Sequence, residues 1–258
     1  ADVMPDCIFH LAAQPIIRRS YRMPVETFET NVMGSIYLMD ALRTLAHPCT
    51  VIMITSDKCY LNTNQVWGYR ECDPLGGHDP YSASKAAAEI AIASYRDSYF
   101  PPEKIGEHRI HRASVRAGNV IGGGDWAEDR IIPDAVRAVT TGTPLELRSP
   151  QAIRPWQHVL EPLSGYMLLA AKMICGDPRE VTPLESAWNF GPLPTENATV
   201  LEIVQEFYRI WGSGETLYDP ALAQVPEAAV LRLSSEKAIT LLGWRPIWNM
   251  SETIEKTA

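Results

Sequence analysis

The sequence has little of what staples, anchors or charges a chain for special surroundings. Its five cysteines, Cys7, Cys49, Cys59, Cys72 and Cys175, are an odd number with no Cys-x-x-Cys pair, which suits neither a disulfide framework nor a zinc site and matches a reducing cytoplasm. No apolar run approaches the ~18 residues of a membrane span; the best, Tyr166 to Ala171, stops at Lys172. The opening Ala1-Asp2-Val3-Met4-Pro5-Asp6 lacks the basic and apolar regions of a signal peptide. Positive charge is in deficit: 23 Lys and Arg against 31 Asp and Glu leave a net charge of −8. That excludes a general nucleic-acid surface, though not a basic pocket. There is no internal repeat, low-complexity tract or long linker, and no glycine before Gly34. What is present is ordinary globular material, 46% hydrophobic and 21% charged, in 258 residues. This is about 1.7 times a ~150-residue domain, enough for one large domain or one and a half.

Short apolar runs alternate with helical patterns. Cys7-Ile8-Phe9-His10-Leu11-Ala12 reads as a buried strand, and Phe28, Val32, Ile36, Met39 and Leu42 recur at helical spacing within a helix over about 25–45. A second strand, Thr50 to Thr55, leads through a loop to a helix over about 80–99, and a weaker strand lies at Ala113 to Arg116. Strands separated by such helices indicate βαβ units, a parallel sheet with right-handed crossovers and an α/β fold. After Gly118 the pattern is more irregular, with helices near 131–141, 163–174, 200–211 and 235–242. In open α/β sheets ligands sit beyond the carboxyl ends of the strands. Here those ends are Ala12-Ala13-Gln14, Thr55-Ser56-Asp57-Lys58 and Arg116-Ala117-Gly118-Asn119.

Two constellations at these ends carry chemistry. Tyr81 and Lys85 stand four apart at a helix start, on one face. A phenol has a reference pKa of ~10, so a Tyr base near neutrality needs ~4 kcal/mol of phenolate stabilisation from nearby cations. Alone, such a pair is usually a solvated face. Ser56-Asp57-Lys58, 25 residues earlier, ends an apolar strand abruptly in a hydroxyl, an acid and a base. A hydroxyl can orient a substrate oxygen while a phenolate takes its proton, and an acid beside a base suits an elimination; paired turn residues on a surface are the alternative.

With Ser56, Tyr81 and Lys85 in this order the chain resembles the extended short-chain dehydrogenase/reductase family, and within it the CDP-glucose dehydratase group. The segments that carry the resemblance run from Phe9-His10-Leu11-Ala12-Ala13-Gln14-Pro15 through Thr55-Ser56-Asp57-Lys58-Cys59-Tyr60, Arg116 to Trp126 and Ile153-Arg154-Pro155-Trp156-Gln157-His158-Val159 to Trp188-Asn189-Phe190-Gly191-Pro192. Related hexose dehydratases carry an acidic pair where this chain has Asp57-Lys58. The resemblance implies a Rossmann-type parallel sheet, incomplete at its start, with flanking helices and a smaller mixed α/β substrate region, divided as 1–120 and 121–258. It implies a cytoplasmic lyase that dehydrates CDP-glucose to CDP-4-keto-6-deoxyglucose by C4 oxidation, elimination of water across C5 and C6 and return of hydride to C6, with NAD as cofactor, feeding deoxysugar synthesis for surface polysaccharide.

Residue by residue, the resemblance makes Tyr81 the base at the 4-hydroxyl, Ser56 its guide, Lys58 the C5 base and Asp57 the acid at C6. It puts Ala12, Ala13, Gln14, Thr55, Tyr81 and Lys85 against NAD, and Asn119, Arg154 and Asn189 against the nucleotide sugar; Arg130 and Arg148 are further candidates by residue type, guanidinium groups suiting a diphosphate. Asn31 corresponds to the family Asn that braces the active-site Lys. No metal is implied. Gly122-Gly123-Gly124 lacks the Gly-Lys-Ser/Thr of a phosphate loop and reads as a turn lining the sugar site. Ala83 and Ala228-Ala229 depart from the group's pattern. The Gly-rich phosphate turn of the fold is absent, and the first strand resembles the fourth of the family's sheet, so roughly 60 or more residues of βα units are expected in front of it. The helices near 25–45 and 80–100 imply a homodimer or homotetramer. A 4-epimerase, a dehydratase of another nucleotide sugar and a binding module without turnover are the competing readings.

Overall fold

A computed structural model describes residues 3–218 and 228–258. β1 (Cys7–His10) leads through the buried Gln14 into α1 (Ile17–Arg22). A longer helical run, α2 (24–42), follows, and Pro24 opens it where a missing N–H costs nothing. Glu29–Met33 forms a π turn inside α2, so Asn31 sits where the helix widens. After β2 (Cys49–Ile54), α3 (Pro80–Tyr99) starts with Pro80 in its first turn and Asp79 as N-cap, whose carboxylate accepts from the Ser82 N–H.

β3 (Ile110–Ala117) is longer than the apolar segment suggests, because Arg112, Ser114 and Arg116 alternate with Ala113, Val115 and Ala117. Then come β4 (Asn119–Ile121), α4 (Ile131–Thr141), β5 (Leu145–Leu147), β6 (Ile153–Arg154), β7 (Trp156–His158) and α5 (Leu160–Cys175). The chain continues through β8 (Ala187–Phe190), β9 (Ala198–Thr199), α6 (Val200–Trp211), β10 (Thr216–Tyr218) and α7 (Met250–Glu255).

The main sheet has the order β1-β2-β3-β8, all parallel, in register at His10 with Met53, Ile54 with Val115 and Ala117 with Phe190. Its two faces are covered differently. Val51, Met53 and Ile110 pack against Met39 and Leu42 of α2 and Ile92 of α3. Ile52, Ala113 and Val115 point the other way, against Tyr166, Leu169 and Met173 of α5. Strand order advances in one direction throughout, so the β3-to-β8 connection, with α5 on the opposite face, has the opposite hand to the two before it. The right-handed crossovers expected from the sequence concern β1, β2 and β3; β8 lies outside the strands that the sequence pattern marks. The polar side of β3 thus has no helix of its own above β8. Its charges find partners instead: Arg112 pairs with Glu185 and Arg116 with Glu89.

The remaining strands form three small sheets, β4 with β7, β5 with β10 and β6 with β9. They share a second core with α4, α6 and α7 that includes Ile132, Ala135, Trp156, Ile203, Phe207 and Ile254. Among the described residues no helix is long and apolar enough to cross a membrane.

Candidate active site

The carboxyl ends of β2 and β3 face this second core across a cleft of about 450 Å³. At the end of β2 the backbone of Ser56 stays extended and then turns tightly through Asp57–Cys59. The Ser56 hydroxyl fixes that turn, accepting from the Lys58 N–H at 3.2 Å and donating to Asp57 Oδ1 at 3.1 Å. Asp57 is 1% exposed and its Oδ1 lies 3.6 Å from Lys58 Nζ, while its Oδ2 has no hydrogen-bond partner. A buried carboxylate oxygen left open beside an ammonium is poised for proton traffic rather than for stability.

Tyr81 is placed by the docking of α1 on α3, where its N–H donates to Ser20 Oγ at 3.1 Å. Burial pushes the phenol up to about 12; the Ser56 hydroxyl pulls it down, Asp57 pushes it up and Arg130 draws it down. Arg130, on the far side of the cleft, is thus one cation that bears on the phenol. Lys85, one helical turn deeper and 5% exposed, is pushed down to about 8 by burial, with Glu89 working against the fall.

Ser56, Asp57, Lys58 and Tyr81 line one side of the cleft; Asn119, Arg130, Arg148 and Arg154 line the other. Asn119 Oδ1 and Arg130 Nε are buried without partners. Arg148 lies 3.3 Å from Asp129, and so does Arg18 of α1, so that Asp129 joins the two sides at the rim. Gly118, where β3 passes into β4, is required by close approach: a Cβ there would lie 2.4 Å from Pro155 Cγ.

Other residues singled out in the sequence lie elsewhere. The Thr55 hydroxyl donates to Glu89, leaving only its backbone at the strand end. Asn189 is wholly buried; its Oδ1 accepts from the Tyr60 hydroxyl at 2.7 Å and its Nδ2 donates to the carbonyls of Tyr69 and Ser234, so the side chain does not reach the cleft. Asn31 holds Ser84 and the backbone of Gln14 rather than Lys85, and the Gln14 side chain is used by Thr27 and the Ile16 N–H. Ala12 and Ala13 follow β1 outside the cleft wall. Among the described residues no cluster of His, Cys, Asp or Glu could hold a metal. Arg18, His78, Asn62 and Asp129 line the cleft but carry no motif. The positive φ values of 60° at Asp129 and 55° at Asn64, which also lines the cleft, mark unusual backbone there.

Residues 1–257 match the family model described as GDP-mannose 4,6 dehydratase. The chain belongs to this family. Over 254 residues it is 45% identical to CDP-glucose 4,6-dehydratase of Salmonella typhimurium, covering 98% of this chain and 70% of that protein. It is 26% identical to UDP-glucose 4-epimerase of Lacticaseibacillus casei, covering 98% of this chain and 75% of the relative. Among solved structures, UDP-glucuronic acid 4-epimerase from Bacillus cereus, in complex with UDP-glucuronic acid and NAD, superposes with a TM-score of 0.81 at 20% identity, covering 98% of this chain and 74% of that one. The family's α/β architecture is thus shared even where few residues are.

Proposed function

We propose that the chain dehydrates CDP-glucose to CDP-4-keto-6-deoxyglucose, with NAD as its resident cofactor. The observation that carries this reading is the meeting of Ser56, Asp57, Lys58 and Tyr81 with Arg130, Arg148 and Arg154 in one cleft. A chemically reactive wall there faces a cationic one suited to a diphosphate. The similarity to the Salmonella CDP-glucose enzyme selects the sugar and the base.

The residues present fit the nicotinamide half of NAD. Within the described residues Lys85 makes no hydrogen bond, and the Nε2 of neighbouring His10 is buried without a partner. These are unspent polar groups beneath the strand ends. Tyr81 and Lys85 would hold the nicotinamide ribose, with the backbone of Ala12, Ala13, Gln14 and Thr55 along its path. When bound, NAD supplies a reversible two-electron oxidation at the sugar C4.

Tyr81, once ionised by cations in the closed site, takes the proton of the 4-hydroxyl that Ser56 orients. With C4 a carbonyl, the C5 proton is acidic, and neutral Lys58 accepts it while Asp57 gives a proton to the departing 6-hydroxyl. Arg154, Arg148, Arg130 and Asn119 hold the diphosphate and nucleotide.

In the same reading the protein works in the cytoplasm, in deoxysugar synthesis, with residues 1–120 serving NAD and 121–258 mainly the nucleotide sugar. It self-associates through α2 and α3, which expose Val25, Tyr37 and Ile90. The test is incubation of the full chain with NAD and, separately, CDP-, UDP-, dTDP- and GDP-glucose. Loss of one water from CDP-glucose, seen by mass and by the alkali-dependent absorbance of a 4-keto sugar, is the expected result. Turnover of another sugar nucleotide in its place would overturn the substrate, and binding without turnover of any would overturn the enzyme.

A further inference from the structure

Tyr81, Lys85 and Glu89 follow one another at four-residue intervals on the inner face of α3. The reaction above uses the first two and leaves the third unexplained. Glu89 is 3% exposed, a costly place for a carboxylate unless it is paired and fully hydrogen-bonded. It is both. Arg116 donates from Nε at 2.9 Å and from Nη2 at 2.8 Å, Ser114 from its hydroxyl at 2.9 Å, and the Thr55 hydroxyl donates as well. Burial alone would raise the Glu89 carboxyl, but Arg116 and the two hydroxyls more than reverse this and hold it ionised.

Arg116 in turn donates to the Tyr60 hydroxyl at 2.8 Å. The carboxylate therefore joins α3 to the ends of β2 and β3, on the sheet face that α5 does not cover. Thr55, one of its donors, directly precedes Ser56-Asp57-Lys58.

The groups that face Lys85 are few. Glu89 approaches from its own helix and Cys59 from the turn after β2; His10 approaches from the end of β1. Burial raises the Cys59 thiol well above its ordinary value, which keeps it neutral, and burial together with Lys85 lowers His10. Glu89 is thus the group facing Lys85 that carries a full negative charge.

We propose that Glu89 is a positioning residue that acts through Lys85: one helical turn along the same buried face of α3, its carboxylate, fixed by Arg116, Thr55 and Ser114, keeps the lysine amine charged at the strand ends where the reaction needs a cation. The proposal rests on the role given to Lys85 above. The direction of the Lys85 shift agrees with it, since burial drives the amine down and Glu89 opposes the fall. Arg116 matters as the group that keeps Glu89 ionised, and Thr55 lets the same carboxylate set the strand end that presents Ser56.

The test titrates Lys85 in the full chain labelled with carbon-13 lysine, the resonance being assigned by its absence from Lys85→Met. The midpoint, near 8 in the parent, should fall by one pH unit or more in Glu89→Gln, a tenfold or larger loss of proton affinity. Glu89→Asp should recover at least half of that change. In active preparations the limb of the kcat/KM profile that reports Lys85 should move by the same amount. An unmoved midpoint beside a lowered melting temperature would reduce Glu89 to a structural member of the sheet and overturn the proposal. Should the single variant fail to fold with Arg116 unpaired, Glu89→Gln/Arg116→Met removes both charges and must show the same fall. The titration needs no turnover, so loss of the dehydratase reading and loss of this one are separable.

Discussion

Replacing Lys85 by Met should strengthen the fold while ending turnover. The Lys85 amine falls from its ordinary 10.5 to about 8 because it is buried, a drop of about 2.5. At 1.36 kcal/mol for each unit this is about 3 kcal/mol. The sign follows from proton linkage. Above about pH 10.5 the amine is neutral folded or unfolded and costs nothing. Between 8 and 10.5 the unfolded chain holds a proton that the folded one does not, so stability rises with pH. Below 8 the folded protein carries a buried ammonium and the whole ~3 kcal/mol is lost. Met keeps the length of the side chain without its charge. At pH 7 Lys85→Met should therefore gain up to about 3 kcal/mol, or roughly 6–12 °C for a chain of this size, with the gain vanishing as pH approaches 10.5. Urea unfolding at pH 7 and pH 10, without added nucleotide, measures both ends. A variant no more stable than the parent at pH 7, or a gap that widens with pH, would refute the reasoning.

Tyr81→Phe should lower kcat by about 10²–10⁴ with an unchanged circular dichroism spectrum; undiminished product formation would remove Tyr81 from the chemistry. Gly165→Ala places a Cβ 2.3 Å from the Phe190 ring and should cost about 1–3 kcal/mol through overpacking, seen as a lower urea midpoint, whereas an unchanged midpoint would mean that the helix gives way freely. Glu185→Gln strands the Arg112 charge, whose side chain is 1% exposed, and should cost about 3–5 kcal/mol; Arg112→Met/Glu185→Met should recover most of it, and a double variant as unstable as the single one would contradict an uncompensated charge. Tyr37→Glu, at an exposed position of α2, should shift the mass found by light scattering from dimer to monomer, and an unaltered mass would move the interface elsewhere.

Where one residue's chemistry decided a boundary, the sequence was a good guide. α3 begins and ends as its spacing predicts because Asp79 caps it and Pro80 can only open it, and α4 and α6 match the helices expected at 131–141 and 200–211. That Ser56-Asp57-Lys58 and Tyr81 meet at one cleft was legible because an apolar parallel strand breaking off in polar groups places them at its carboxyl end. β3 was under-read because Arg112 and Arg116 look like surface residues until Glu185 and Glu89, distant in the chain, neutralise them. The same blindness affected Asn189 and Thr55. A polar side chain at a strand end looks alike whether it faces a ligand or a buried carboxylate, and only the position of Tyr60 and Glu89 decides which. Arg18 was missed because α1 is six residues long and offers no periodicity to read.

The reversed connection into β8 has a consequence in time. Ser114 pairs with Ala187, 73 residues further on, after the chain has passed through β4 to β7 and α4, about half of the second core, so this strand carries the largest loop-closure entropy of the four and should join last. Its final residues tie down both walls of the cleft: Asn189 receives Tyr60, just beyond the Asp57-Lys58 turn, and the Phe190 carbonyl receives Gln157, close after Arg154. A folding chain therefore holds three strands and a reactive turn before it holds a place for a substrate, and the first partial unfolding of the mature protein empties that place while most of its helices remain.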